Sequence, residues 1–235
     1  MDSPILRDLH ACADKDLATF QQKFFKTQTG GYGEGDQFLG ITVPKTRSIA
    51  KQYSSMDLQE IAELLQSPWH EARLTALHLL EHAYTKGGPE QRKDVVKTYL
   101  QHVSFVNNWD LVDTSAHKIL GRYVWETGKT DLLWALAESE YLWSERISMV
   151  ATLWLMKHGQ TIEAIALAKY FLAHPHDLMH KAVGWMLREV GKVDIHALRS
   201  FLDVHAQAMP RTMLRYSIEK LDQQERQKYM RTPKQ

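Results

Sequence analysis

The chain has 235 residues, 44% hydrophobic and 24% charged, with a formal net charge of +1. That is enough apolar material for a full core, and no run approaches the ~18–20 apolar residues of a membrane span. The one cysteine, Cys12, excludes an internal disulfide framework and a thiolate metal site. With so small a net charge, attraction to a polyanion has to come from where the charges are placed.

In chain order, nearly every segment has apolar residues three and four apart, and strict alternation is hard to find, so the expected class is all-α. Met1-Asp2-Ser3-Pro4 begins no signal peptide, which points to the cytoplasm. A first helix is expected over about Asp16 to Lys26, with Leu17, Phe20 and Phe24 on one stripe. Thr29 to Gly40 is the only glycine-dense stretch. No Gly-Lys-Ser/Thr follows it and no strand precedes it, so it reads as a flexible connector rather than a phosphate cradle. Pro44 then opens a helix to about Tyr53.

From there the chain repeats itself. Ser67-Pro68-Trp69-His70-Glu71-Ala72-Arg73 and Tyr141-Leu142-Trp143-Ser144-Glu145-Arg146 are similar helix openings, with Ser144 as a candidate cap. Trp69, Trp109, Trp143 and Leu178 occupy comparable places, at spacings of 40, 34 and 35 residues. That period fits a right-handed solenoid of antiparallel helix pairs with a concave groove. The outer partners are expected at about Asp57 to Leu65, Pro89 to Leu100, Asp131 to Ala137, Thr161 to Ala173 and Asp194 to Val204. Residues 1–235 read as one domain, with an N-terminal cap and glycine-rich loop over 1–40. The polar tail over 223–235, which includes Pro233, is expected to fray.

The stretch Asn108-Trp109-Asp110-Leu111-Val112-Asp113 carries the strongest chemical signal. Trp109 and Asp113 stand four residues apart, which pairs an aromatic face with a carboxylate on one side of a helix. Trp185 shares a face with Lys181, Arg188 and Lys192, and a cationic stripe broken by an aromatic suits a groove facing a polyanion. Arg146 and Lys181 fall at the same repeat position, near helix starts that suit phosphate. From Lys181 onward 11 Lys and Arg stand against 6 Asp and Glu, a local excess of 11 − 6 = +5. These residues are expected to gather at a cleft that holds DNA.

Competing motifs are weaker. His78-Leu79-Leu80-Glu81-His82 fits the H-x-x-E-H pattern of one metalloprotease class, but no third ligand is nominated and packing explains Leu77, Leu80 and Tyr84. His174-Pro175-His176 with His180 reads as a turn between helices. Trp69, Trp125, Trp134 and Trp154 read as packing residues.

At these residues the sequence resembles the AlkD-like family of bacterial DNA glycosylases, which have HEAT-like repeats. The likeness runs over nearly the whole chain. It includes Phe38 to Pro44, Ser67 to Glu71, the Trp109-Asp110-Leu111-Val112-Asp113 core and Gly184-Trp185-Met186-Leu187-Arg188-Glu189. It implies removal of N7-alkylguanine and N3-alkyladenine from duplex DNA, with Trp109 and Trp185 as cleft aromatics and Asp113 as the catalytic carboxylate. Arg146 matches a cation facing the DNA backbone, Arg188 matches a basic position of the motif, and Lys181 joins them as a candidate DNA contact. The resemblance implies a monomer at the nucleoid that needs no metal or cofactor. Alternatives are a module that binds distorted DNA without chemistry, and a protein-interaction scaffold.

Overall fold

The computed structural model describes residues 3–231, and among them the regular structure is helical apart from one isolated bridge between Gln37 and Trp69. None of the described helices is long and apolar enough to cross a membrane. The chain divides into two compact units, one running to Ser115 and the other from Ala116.

The first unit contains α1 (Pro4–Ala11), α2 (Lys15–Phe24), α3 (Val43–Gln52), α4 (Leu58–Leu65), α5 (His70–Lys86), α6 (Pro89–Gln101) and α7 (Trp109–Ser115). The first helix is not anticipated from the periodicity. Ser3 caps it by accepting the Leu6 N–H, Pro4 occupies the first turn, and Ile5 and Leu9 are buried. The capping box of Asp57 and Glu60 starts α4, one residue from the expected position.

Helix α5 is the core of this unit. It packs against α3, α4, α6 and α7, and twelve of its seventeen residues are buried. A helix apolar on one stripe only could not be covered from so many sides without stranding polar groups. One of its buried polar positions is absorbed within the helix: Thr75 Oγ1 donates back to the Glu71 carbonyl at 2.6 Å. Leu77 and Leu80, both fully buried, each contribute about 2 kcal/mol through removal from water.

The glycine-dense stretch is held in place, contrary to the flexible connector expected. The buried Glu71 carboxylate accepts the backbone N–H groups of Leu39 (2.9 Å), Gly40 (2.8 Å) and Ile41 (3.0 Å). His70 N–H reaches the Gln37 carbonyl at 2.8 Å, and Asp14 N–H reaches the Leu39 carbonyl at 2.9 Å. Gly40 has φ +82°, and a Cβ there would lie 1.9 Å from the Asp14 carbonyl oxygen. Glycine is needed here because two backbones touch, and freedom of motion is not its purpose.

The second unit opens with a π turn (His117–Gly121) and continues through α8 (Arg122–Thr127), α9 (Asp131–Ala137), α10 (Leu142–Lys157), α11 (Ile162–Tyr170), α12 (Asp177–Val193), α13 (Ile195–His205), α14 (Arg211–Ser217) and α15 (Gln223–Arg231). Helix α10 plays the part that α5 plays in the first unit, packing on α8, α9, α11 and α12. Ser144 lies buried within α10 and is not its cap, because the helix begins two residues earlier, with Tyr141 at the capping position.

Helix α14 is a second element not anticipated from the sequence. It packs on α12 because Gly184 leaves room: a Cβ there would lie 2.5 Å from both the Met213 carbonyl and the Tyr216 Cβ. The tail is also anchored over the described residues. Tyr229 is buried and donates to Asp203 at 3.0 Å, and Arg199 grips Glu225 at 2.7 and 3.1 Å. The expected fraying therefore fails through Tyr229; Pro233 lies outside the described residues.

Candidate functional site

Trp109 is the first residue of α7, and Asp113 follows one turn later; both are half-buried. The indole is held on several sides. Its Nε1–H donates to the Tyr32 hydroxyl at 3.2 Å, and that hydroxyl donates to the Phe24 carbonyl at 3.3 Å. Phe25 stacks on it with centroids 5.4 Å apart, and Phe24 meets it edge-on at 6.0 Å. The shelf continues outward, since Phe24 stacks on Phe20 at 6.0 Å and both remain more than half exposed. Asp113 lies close to the buried Tyr99, whose phenol is pushed above its usual range by burial and further by the Asp113 charge.

Beneath Trp109 lies a charged cluster absent from the sequence reading. His70 is 2% exposed. Its Nδ1 lies 2.8 Å from Asp36 Oδ2, and its Nε2 lies 2.8 Å from Asp110 Oδ2. Carboxylates at both ring nitrogens require both to donate, so His70 is the imidazolium. Burial works against that charge, but Asp110 and Asp36 outweigh it and raise the pKa to about 9. Burial likewise works to raise Asp36, but the His70 and Arg73 bonds prevail and hold its carboxyl below the usual range. Arg73 completes the set at 2.6 Å from Asp36 Oδ1. Two cations face two carboxylates, so the buried cluster is neutral as a whole.

The other candidates lie in the second unit. Lys181, Trp185 and Arg188 all stand on α12, and Trp185 is half-buried. Each cation on this helix has an acidic neighbour. Lys181 pairs with Asp177 at 2.8 Å, Lys192 with Glu189 at 2.7 Å, and Arg188 with Glu219. The basic stripe is therefore interleaved with carboxylates. Arg146 on α10 is 4% exposed, and its Nη1 donates to the Leu178 carbonyl at 2.5 Å, tying α10 to the first turn of α12. Around that junction His174 bonds Glu145 at 3.0 Å, and His176 caps α12 by accepting the Leu178 N–H at 3.1 Å. Burial, followed by the neighbouring His174, lowers the His176 pKa.

A family model described as DNA alkylation repair enzyme matches residues 5–221. The chain belongs to that family. Among solved structures it is similar to a "Predicted DNA alkylation repair enzyme from Enterococcus faecalis", with a TM-score of 0.71 and 17% identity over 90% of this chain and 97% of the other. At that identity the likeness speaks for the shared all-α fold. No curated relative matches.

The family assignment brings the AlkD-like resemblance and the observed fold into agreement. Among the described residues no group of three or more His, Cys, Asp or Glu is arranged to hold a metal ion. His78, Glu81 and His82 sit on α5, with His78 buried. Asp36, His70, Arg73 and Tyr32 join the site only through the fold. Their contacts span 34 to 77 residues, and the sole sequence signal was a histidine and an acidic residue at successive repeat openings.

Proposed function

We propose that this member of the DNA alkylation repair family is a monofunctional glycosylase. It hydrolyses the N-glycosidic bond of cationic alkylpurines, N7-alkylguanine and N3-alkyladenine, in duplex DNA. The observation that carries this reading is a half-buried carboxylate, Asp113, one turn from an indole, Trp109, that is fixed on several sides. An alkylated purine already bears positive charge, so breaking its bond to C1′ returns the bonding pair to the base, which leaves neutral. The deficit stays on deoxyribose as an oxocarbenium ion. Asp113 stabilises that cation and takes the proton of the water that adds at C1′. Trp109 turns its aromatic face toward the sugar, with a cation–π contact of roughly 0.5–2 kcal/mol, and the AlkD-like resemblance implies an aromatic role for Trp185 as well.

As the AlkD-like resemblance implies, the lesion stays stacked in the duplex, without base flipping. Lys181 and Arg188 engage phosphates in exchange for Asp177 and Glu219, and Arg146, the least exposed of the three, holds the first turn of α12 beside them. No lysine is assigned a Schiff-base role, so the product is an abasic site without strand cleavage.

The test is base release from duplex DNA containing N7-methylguanine. Asp113→Asn is expected to slow release about a hundredfold, ~3 kcal/mol of transition-state stabilisation. Undiminished release refutes the role of Asp113. Salt-dependent binding with no base released by the unsubstituted protein favours a non-catalytic DNA-binding module instead.

A further inference from the structure

We propose that the Asp36–His70–Asp110 bridge is the positioning element for Trp109, with His70 the residue that locks the first turn of α7 to the glycine-rich segment. The proposal rests on reading Trp109 as the indole that faces the substrate. His70 is then a positioning residue, acting only through Trp109.

Trp109 and Asp110 open α7, and the first N–H groups of a helix have no partner within it, so the hold on that turn comes from tertiary ties. Two of these run through His70. The first is through the backbone: Asp110 follows Trp109 in the chain, receives the His70 Nε2–H at 2.8 Å and accepts the Leu111 N–H at 2.9 Å through its other oxygen. The second is through rings: His70 stacks on Phe38 at 4.4 Å and lies 5.2 Å from Phe25, and Phe25 is itself stacked on Trp109. Removing the imidazole loosens both the peptide that carries the indole and the ring beneath it.

The bridge is also asymmetric. Asp36 is held by Arg73 as well and its side chain is 3% exposed, whereas that of Asp110 is 15% exposed and lies on the short helix. A neutral imidazole donates from one nitrogen only. The other nitrogen then turns a lone pair toward a carboxylate, and Asp110, the less enclosed partner, is the one that yields. Trp109 moves with it. The charged groups facing His70 are Asp36 from the loop, Asp110 from α7 and, through Asp36, Arg73 from α5.

The experiment uses the full chain labelled with 5-fluorotryptophan, with Trp109→Phe identifying the Trp109 fluorine resonance. His70→Gln and Asp110→Asn are compared with the unsubstituted protein by fluorine NMR and by single-turnover base release from N7-methylguanine DNA. The Trp109 resonance is expected to shift or broaden in both variants. Release is expected to fall about tenfold to a hundredfold, the cost of an indole displaced by about an ångström, while DNA affinity changes by less than about threefold. The unsubstituted protein needs no variant to fold: its Trp109 resonance is expected to move with a midpoint near pH 9, as His70 loses its proton. A resonance unmoved by the substitutions and by pH overturns the proposal, as does a rate loss no larger than the loss of folded protein. If the unsubstituted protein releases no base, the glycosylase reading falls. The fluorine spectra then decide by themselves whether His70 positions Trp109.

Discussion

The cluster around His70 in the first unit and the outer face of α12 in the second handle charge in opposite ways. In the first, His70, Arg73 and Asp36 are enclosed and Asp110 joins them from a partly exposed position, so each depends on the others. In the second, the α12 pairs Lys181–Asp177 and Lys192–Glu189 lie at the surface, where water competes for every group. Buried charges specify geometry because an unpaired one is costly, whereas surface charges remain available to a ligand because their present bonds are worth little. The first arrangement suits aiming a side chain, and the second suits exchanging carboxylate for phosphate.

The comparison is tested most severely by His70→Leu, which leaves two buried carboxylates with Arg73 alone. It is expected to cost about 3–5 kcal/mol in urea unfolding, against about 0.5 kcal/mol or less for Lys181→Met. Equal effects would remove the distinction.

Acid and base should also separate the units. The folded pKa of His70, about 9, exceeds its ordinary value of 6.5. Its contribution is therefore full below about pH 6.5 and lost as pH rises through 9, amounting to about 3 kcal/mol. His176 is shifted downward, so its contribution is present above 6.5 and lost as pH falls through its folded value. Hydrogen-exchange protection at α7 should drop on the alkaline side, and protection at the start of α12 on the acid side.

A smaller effect, about 2 kcal/mol, is expected for Tyr229→Ala, because that ring fastens α15 to α13 through Asp203. Circular dichroism should show the loss of stability, and an unchanged melting temperature would mean that the tail contributes nothing. The smallest stability change belongs to Lys181→Ala, within about 0.5 kcal/mol. Its signature should appear in DNA binding, as a salt slope lower by about one unit.

Much of this protein is readable from residue spacing. The starts of α3, α4, α6 and α9 lie within a residue of the positions expected from capping groups, prolines and apolar period, because those signals act within a few residues. The repeat of helix openings and the Trp109–Asp113 turn of α7 are local in the same sense. Apart from α1, whose cap and proline are local, the elements that escaped depend on distant partners. Helix α14 needs the space left by Gly184, the 29–40 segment needs Glu71, and α15 needs Asp203.

The charged cluster makes the same point for the site. Local sequence placed a tryptophan and an aspartate on one face of a short helix, since four residues make a helical turn in any context. Whether that tryptophan has a fixed direction was decided only when folding brought Asp36 and Asp110 to opposite sides of His70, across 34 and 40 residues. A buried cation takes its partners from three dimensions, and no spacing along the chain announces them.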